Sequence, residues 1–175
     1  KVNSAMYNAL KEYVRIQVPS TKQMQDLVLE VLQNEPSYYN IAGYSAYVSL
    51  LGHLLAGTAV EHEQWAHQTG FCKDPTKSLL SMAIHMMVDT AGWCHGGGHW
   101  HKEETADFVR EVLVALNHIF EGSTSLGAAA PEIVGLATCF IGDYDHVSAA
   151  FNEARTLLSL AGHGSTCGSG TVVSL

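Results

Sequence analysis

Positive charge is what this chain has least of. Lysine and arginine together number nine against seventeen aspartates and glutamates, for a net charge of −8, and the arginines are only Arg15, Arg110 and Arg155. Nucleic-acid binding rests on clustered Lys and Arg that displace counterions from phosphates. No such cluster occurs, so nucleic acid is not supported as a partner. An anionic membrane surface is disfavoured on the same ground. Charge of either sign is scarce, at 15% of residues. So little charged surface implies a large core or a face covered by a partner, and the second option predicts a homo-oligomer.

Other absences narrow the field further. No uninterrupted apolar run is long enough to span a bilayer, and the first residues do not read as a signal peptide. The chain starts at Lys1 rather than Met, which reads as processing or truncation and leaves the compartment open. Four cysteines, Cys72, Cys94, Cys139 and Cys167, are too irregularly spaced for a disulfide scaffold. No Gly-x-Ser-x-Gly occurs, so a serine-hydrolase elbow is missing. Gly96-Gly97-Gly98 follows no strand and precedes no Lys-Ser/Thr pair, so it is not a phosphate loop.

What the chain does have is apolar residues at helical spacing nearly throughout, 47% of the total. The expectation is one all-α domain over residues 1–161, a bundle of about six or seven helices, followed by a Gly/Ser-rich tail over 162–175. Met6, Leu10, Tyr13 and Val14 mark a first helix to Gln17. Ser20 with Gln23 reads as a capping box for a second. A long, almost uncharged helix is predicted from Tyr44 to Thr69, stopped by Gly70 and buried at the centre of the bundle. Asp74-Pro75 opens a fourth helix that fades at Gly92. A fifth starts near Lys102, with Glu103, Glu104 and Asp107 at its dipole-favoured end, and stops at Gly122. Pro131 opens a sixth through about Ile141, and a last helix ends at Gly162. The tail is expected at or near a contact between subunits.

The richest stretch chemically is Trp93-Cys94-His95-Gly96-Gly97-Gly98-His99-Trp100-His101. Imidazole and thiolate both suit zinc, copper or iron. The glycines would let the backbone turn so that His95 or Cys94 meets His99 across them, with His67 or His85 completing the shell and His101 as a further donor. A structural loop is the competing reading, because no second Cys pair completes a zinc module. A second constellation is Glu61, Glu63 and His67 on the long helix, with His85 and Asp89 on the next. Helical carboxylate and His pairs build di-metal sites inside bundles. The usual Glu-x-x-His is missing, however, and so is His-Glu-x-x-His. With no complete catalytic motif, the sequence favours a non-enzymatic subunit that self-associates into a filament, shell or coat. A His/Cys metal-binding protein, working as an oxidoreductase or hydrolase, is the first alternative. A small-ligand carrier is the second.

Overall fold

The computed structural model describes residues 4–17, 21–37, 40–61, 79–97, 102–143 and 148–164. Among them the chain is all-helical, with seven α-helices: α1 (Ser4–Gln17), α2 (Thr21–Gln33), α3 (Ile41–Leu54), α4 (Leu79–Gly97), α5 (Lys102–Ile119), α6 (Ala130–Asp143) and α7 (Ser148–Gly164). Single 3₁₀ turns at Thr58–Glu61 and Gly127–Ala129 complete the described elements. The boundary signals at Ser20, Gly70 and Asp74-Pro75 lie outside the described residues, as does the chain beyond Gly164. Residues 162–164 of the expected tail continue α7, so Gly162 does not stop it.

Helix α3 is the centre, as its lack of charge predicts. Tyr44, Tyr47, Val48, Leu50, Leu51, Leu54 and Leu55 are all buried. A helix apolar around most of its circumference can satisfy itself only by packing on several sides. It lies between α1 and α5, with α2 beside it. The register is fixed by matched pairs along the axis. Tyr44 meets Phe108 edge-on with ring centroids 6.0 Å apart. A Cβ added to Gly52 would sit 2.6 Å from that of Ala115. Beyond the helix end, Gly57 N donates to His118 O at 2.8 Å. The order 44–52–57 against 108–115–118 shows that α3 and α5 run in the same direction. Helix α1 runs that way too: Tyr7 packs edge-on against Tyr47 at 5.5 Å, and Lys11 Nζ donates to Ser49 Oγ at 3.5 Å.

Helix α3 begins before the expected start at Tyr44. Asn40 Oδ1 accepts from Gly43 N at 2.9 Å, so Asn40 is the N-cap and the helix begins at Ile41. An Asn side chain that satisfies an orphan amide is a strong start signal. Tyr44 Oη donates to a Glu35 carboxylate oxygen, and Tyr7 Oη donates to Asn34 O at 2.7 Å. These tyrosines pack as aromatic bodies with a polar tip that finds a partner. The two bonds tie the α2–α3 connector to the core.

Two other boundaries need correction. The long helix does not run on from Tyr44 through the fifties: it ends at Leu54 and a turn follows. Gly57 has φ +71° there, a left-handed conformation that favours glycine. Thr58 Oγ1 donates to Leu55 O at 2.6 Å and locks the turn. The apolar run Leu54-Leu55-Ala56 hid this stop, because periodicity carries on across a single glycine. The opposite error occurs at Gly92. Helix α4 passes through it to Gly97, and Gly92 is not among the glycines with positive φ. A glycine inside a helix costs about 1 kcal/mol relative to alanine but does not stop it.

The expected stripe of α1 holds only in part: Val14 is buried, Leu10 is half-buried, and Met6 and Tyr13 are exposed, while Tyr7 takes the inward place. Phe108, Val112, Leu116 and Ile119 are buried on α5 and Phe120 just past its end; on α4 Leu79, Leu80, Ala83 and Met87 are buried, with Met82 and Met86 half-buried. Gly122 ends the α5 segment with φ +80°.

Candidate functional site

The parallel course of α1, α3 and α5 brings together polar residues that are far apart in sequence. Lys11 and Arg15 are four apart on α1, Ser49 and His53 four apart on α3, and Glu111 and His118 seven apart on α5. Each set therefore lies on one side of its helix. With Glu12, Val114 and Ala115 they line one recess of about 230 Å³. The register divides it into two layers. Lys11, Ser49 and Glu111 form one, and Arg15, His53 and His118 form the next, about one helical turn further along.

Its electrostatics are unusual for so acidic a chain. Arg15 uses Nε and Nη2 against a single oxygen of Glu12, at 3.0 and 2.8 Å. That pair is exposed and of little worth to stability. Partial burial pushes the proton affinity of His53 below the usual imidazole value; Lys11, His118 and Arg15 push it the same way, and Glu12 pulls back. Four basic side chains thus share one opening. Nothing in the apolar pattern singled them out. The available signal was the placement of Ser49 and His53 four apart on an otherwise apolar helix.

The predicted metal ligands fall differently. His67, His99 and His101 lie outside the described residues. Cys94 and His95 sit on the last turns of α4, whose backbone is helical through Gly97. Gly96 and Gly97 therefore continue the helix and do not reverse the chain. His85 is at the surface, its Nδ1 3.3 Å from Glu132 Oε1 on α6. Asp89 is exposed on the same helix. Of the expected Glu61, Glu63 and His67 on one long helix, Glu61 falls in the 3₁₀ turn after α3 has ended and Glu63 lies outside the described residues. Among the described residues, no group of three or more His, Cys, Asp or Glu is placed to hold a metal ion.

A second recess, of about 250 Å³, is apolar. Val88 and Gly92 of α4, Val109 of α5, and Gly135, Leu136, Cys139 and Phe140 of α6 line it. A Cβ added at Gly92 or Gly135 would meet nothing within 4 Å. Cys139 is a free, exposed thiol at its edge. No helix of the described residues is long and apolar enough to cross a membrane.

Comparison with protein-family models, with curated proteins and with solved structures gives no match to this chain.

Proposed function

We propose that this chain is a non-enzymatic helical subunit that self-associates, and that α1 supplies a contact face. The observation that carries this reading is where the exposed large apolar side chains fall. Among the described residues they are Met6, Tyr13 and Ile16, at 49%, 58% and 68% exposure, and all three lie on α1. With Ala9 between them the spacing is 3-4-3, the seam of a coiled coil. The opposite face of the same helix is already used, since Tyr7 and Val14 are buried. A helix apolar on two sides has a place for two partners, and a second copy of this chain fits the second side.

Charge favours the same choice. Two copies at net −8 repel each other. Helix α1 carries two cations against one carboxylate, so its own charge does not add to that repulsion, and the Met6–Ile16 stripe itself is uncharged. The stripe from Met6 to Ile16 is about 15 Å long. One such contact is small, so a single pair is weak and repetition within an assembly strengthens it. Replacing Tyr13 and Ile16 together by Lys removes the stripe without touching the core. Sedimentation over a range of concentrations should show the parent gaining mass while the double variant stays monomeric. A parent that remains monomeric throughout would end this reading.

The apolar recess between α4, α5 and α6 favours a second reading, a carrier of a small apolar ligand. Gly92 and Gly135 keep it open, although alanine would fit at both positions and would favour the helices. Gly135→Leu should fill the recess and abolish uptake of an apolar fluorescent probe. Equal uptake by parent and variant would dismiss the carrier.

A further inference from the structure

We infer that the recess between α1, α3 and α5 binds a small oxyanion of phosphate type, with Arg15 and Lys11 as its charged groups and Ser49, His53 and His118 as further hydrogen-bond donors. The inference is independent of self-association, since it uses the side of α1 that faces α3 and α5.

The chemistry of the lining carries it. Nine lysines and arginines serve a chain of 175 residues, yet two of them converge with two imidazoles on a single opening of about 230 Å³. Glu12 and Glu111 line the same recess and offset Lys11 and Arg15, so an anion is held by convergent donors more than by net charge. Lys11, Arg15 and the Ser49 hydroxyl are N–H or O–H donors, and each imidazole supplies at least one more. They come from three helices and so approach from different directions. A tetrahedral oxyanion presents acceptors in all of those directions, whereas a planar carboxylate presents them in one plane.

The two carboxylates define where the anion sits. Glu111 lines the recess in the layer of Lys11, whose ammonium donates to Ser49 Oγ. Glu12 lies along α1 and is held by Arg15 through one oxygen. In the layer of Arg15, His53 and His118, Arg15 carries the charge and each imidazole adds a donor, which makes this layer the place for the anion. An arriving anion competes with Glu12 for Arg15, which keeps the affinity modest. Arg15 is the residue suited to exchange one partner for another, because its planar fork matches phosphate as well as carboxylate.

Imidazole resonances of the full chain report on this directly. Inorganic phosphate is titrated into the protein near pH 6.5, with chloride exchanged for it at constant ionic strength. His53 and His118 should shift along saturable curves while His85, on the surface of α4, stays still. Arg15→Gln should weaken the apparent affinity about tenfold, the effect of losing one charge-assisted hydrogen bond. Arg15 is exposed, so the variant should fold as the parent does, and circular dichroism checks this. Lys11→Gln gives a second, independent loss. Glycerol phosphate, run in parallel, separates the sources: tighter binding than phosphate marks a phosphorylated metabolite as the ligand, and equal binding marks phosphate itself. Shifts that never saturate, that appear equally at His85, that acetate reproduces, or that Arg15→Gln leaves unchanged would overturn the inference.

Discussion

At Gly52 the side-chain position is already occupied by a neighbouring helix. A methyl there would lie 2.6 Å from Ala115 Cβ and 2.7 Å from Ala115 Cα. The second of these is backbone, so relief requires α3 and α5 to separate. Gly52→Ala should therefore cost about 1–3 kcal/mol, the range for overpacking a filled core, although alanine is the better helix former. Chemical denaturation measures it, and an unchanged midpoint would mean that the two helices are not so tightly apposed. His53, one residue on, makes a prediction about pH. Its folded-state proton affinity is lowered, so the unfolded chain binds the proton more readily. The stability it contributes is complete above the ordinary imidazole value near 6.5 and is lost as pH falls through the lower folded value. The thermal midpoint should thus drop between pH 7 and pH 5, and His53→Gln should flatten that drop. Equal slopes in parent and variant would show that His53 is not a source of acid sensitivity.

The helices themselves were largely legible in the sequence, because burial has a period. Leu51 and Leu54, or Phe108 and Val112, recur at the spacing of one helix face and are buried together. Helix ends were less legible, because glycine has two opposite uses. Gly57 ends a helix through positive φ, and Gly92 lies inside one. Both sit in apolar surroundings, and the difference between them lies in the His118 carbonyl that Gly57 reaches. The recess of Lys11, Arg15, His53 and His118 was not legible at all, since it exists only once α1, α3 and α5 align. Asn40 and Gly92 test the helix ends. Asn40→Ala should lower stability by about 1 kcal/mol through loss of the cap to Gly43. Gly92→Ala should raise it by up to about 1 kcal/mol, because the added methyl meets nothing. Denaturant midpoints for the pair should move in opposite directions; movement in the same direction would mean that one of the two local conformations is misassigned.

For the whole molecule, the centre is a bundle of α1, α3 and α5 with their starts at one end. Leu51 is fully buried in that centre. Leu51→Asp should cost several kcal/mol, as an unpaired charge in an apolar interior does. An unaltered thermal midpoint would place that side chain at a surface instead. The same arrangement gives the molecule a distinct end, where the α3–α5 clasp and the Arg15–His53–His118 layer lie together.

The shared direction of α3 and α5 has a consequence for how the chain acquires its structure. Neighbouring helices joined by a short loop run in opposite directions and can zip up locally. Tyr44 and Phe108 are partners separated by about sixty residues of sequence, and such a contact forms only after a long loop has closed. During synthesis the first three helices would leave the ribosome with the apolar side of α3 still bare, awaiting a partner not yet made. The nascent N-terminal half is therefore the stage at which this chain most needs protection from aggregation.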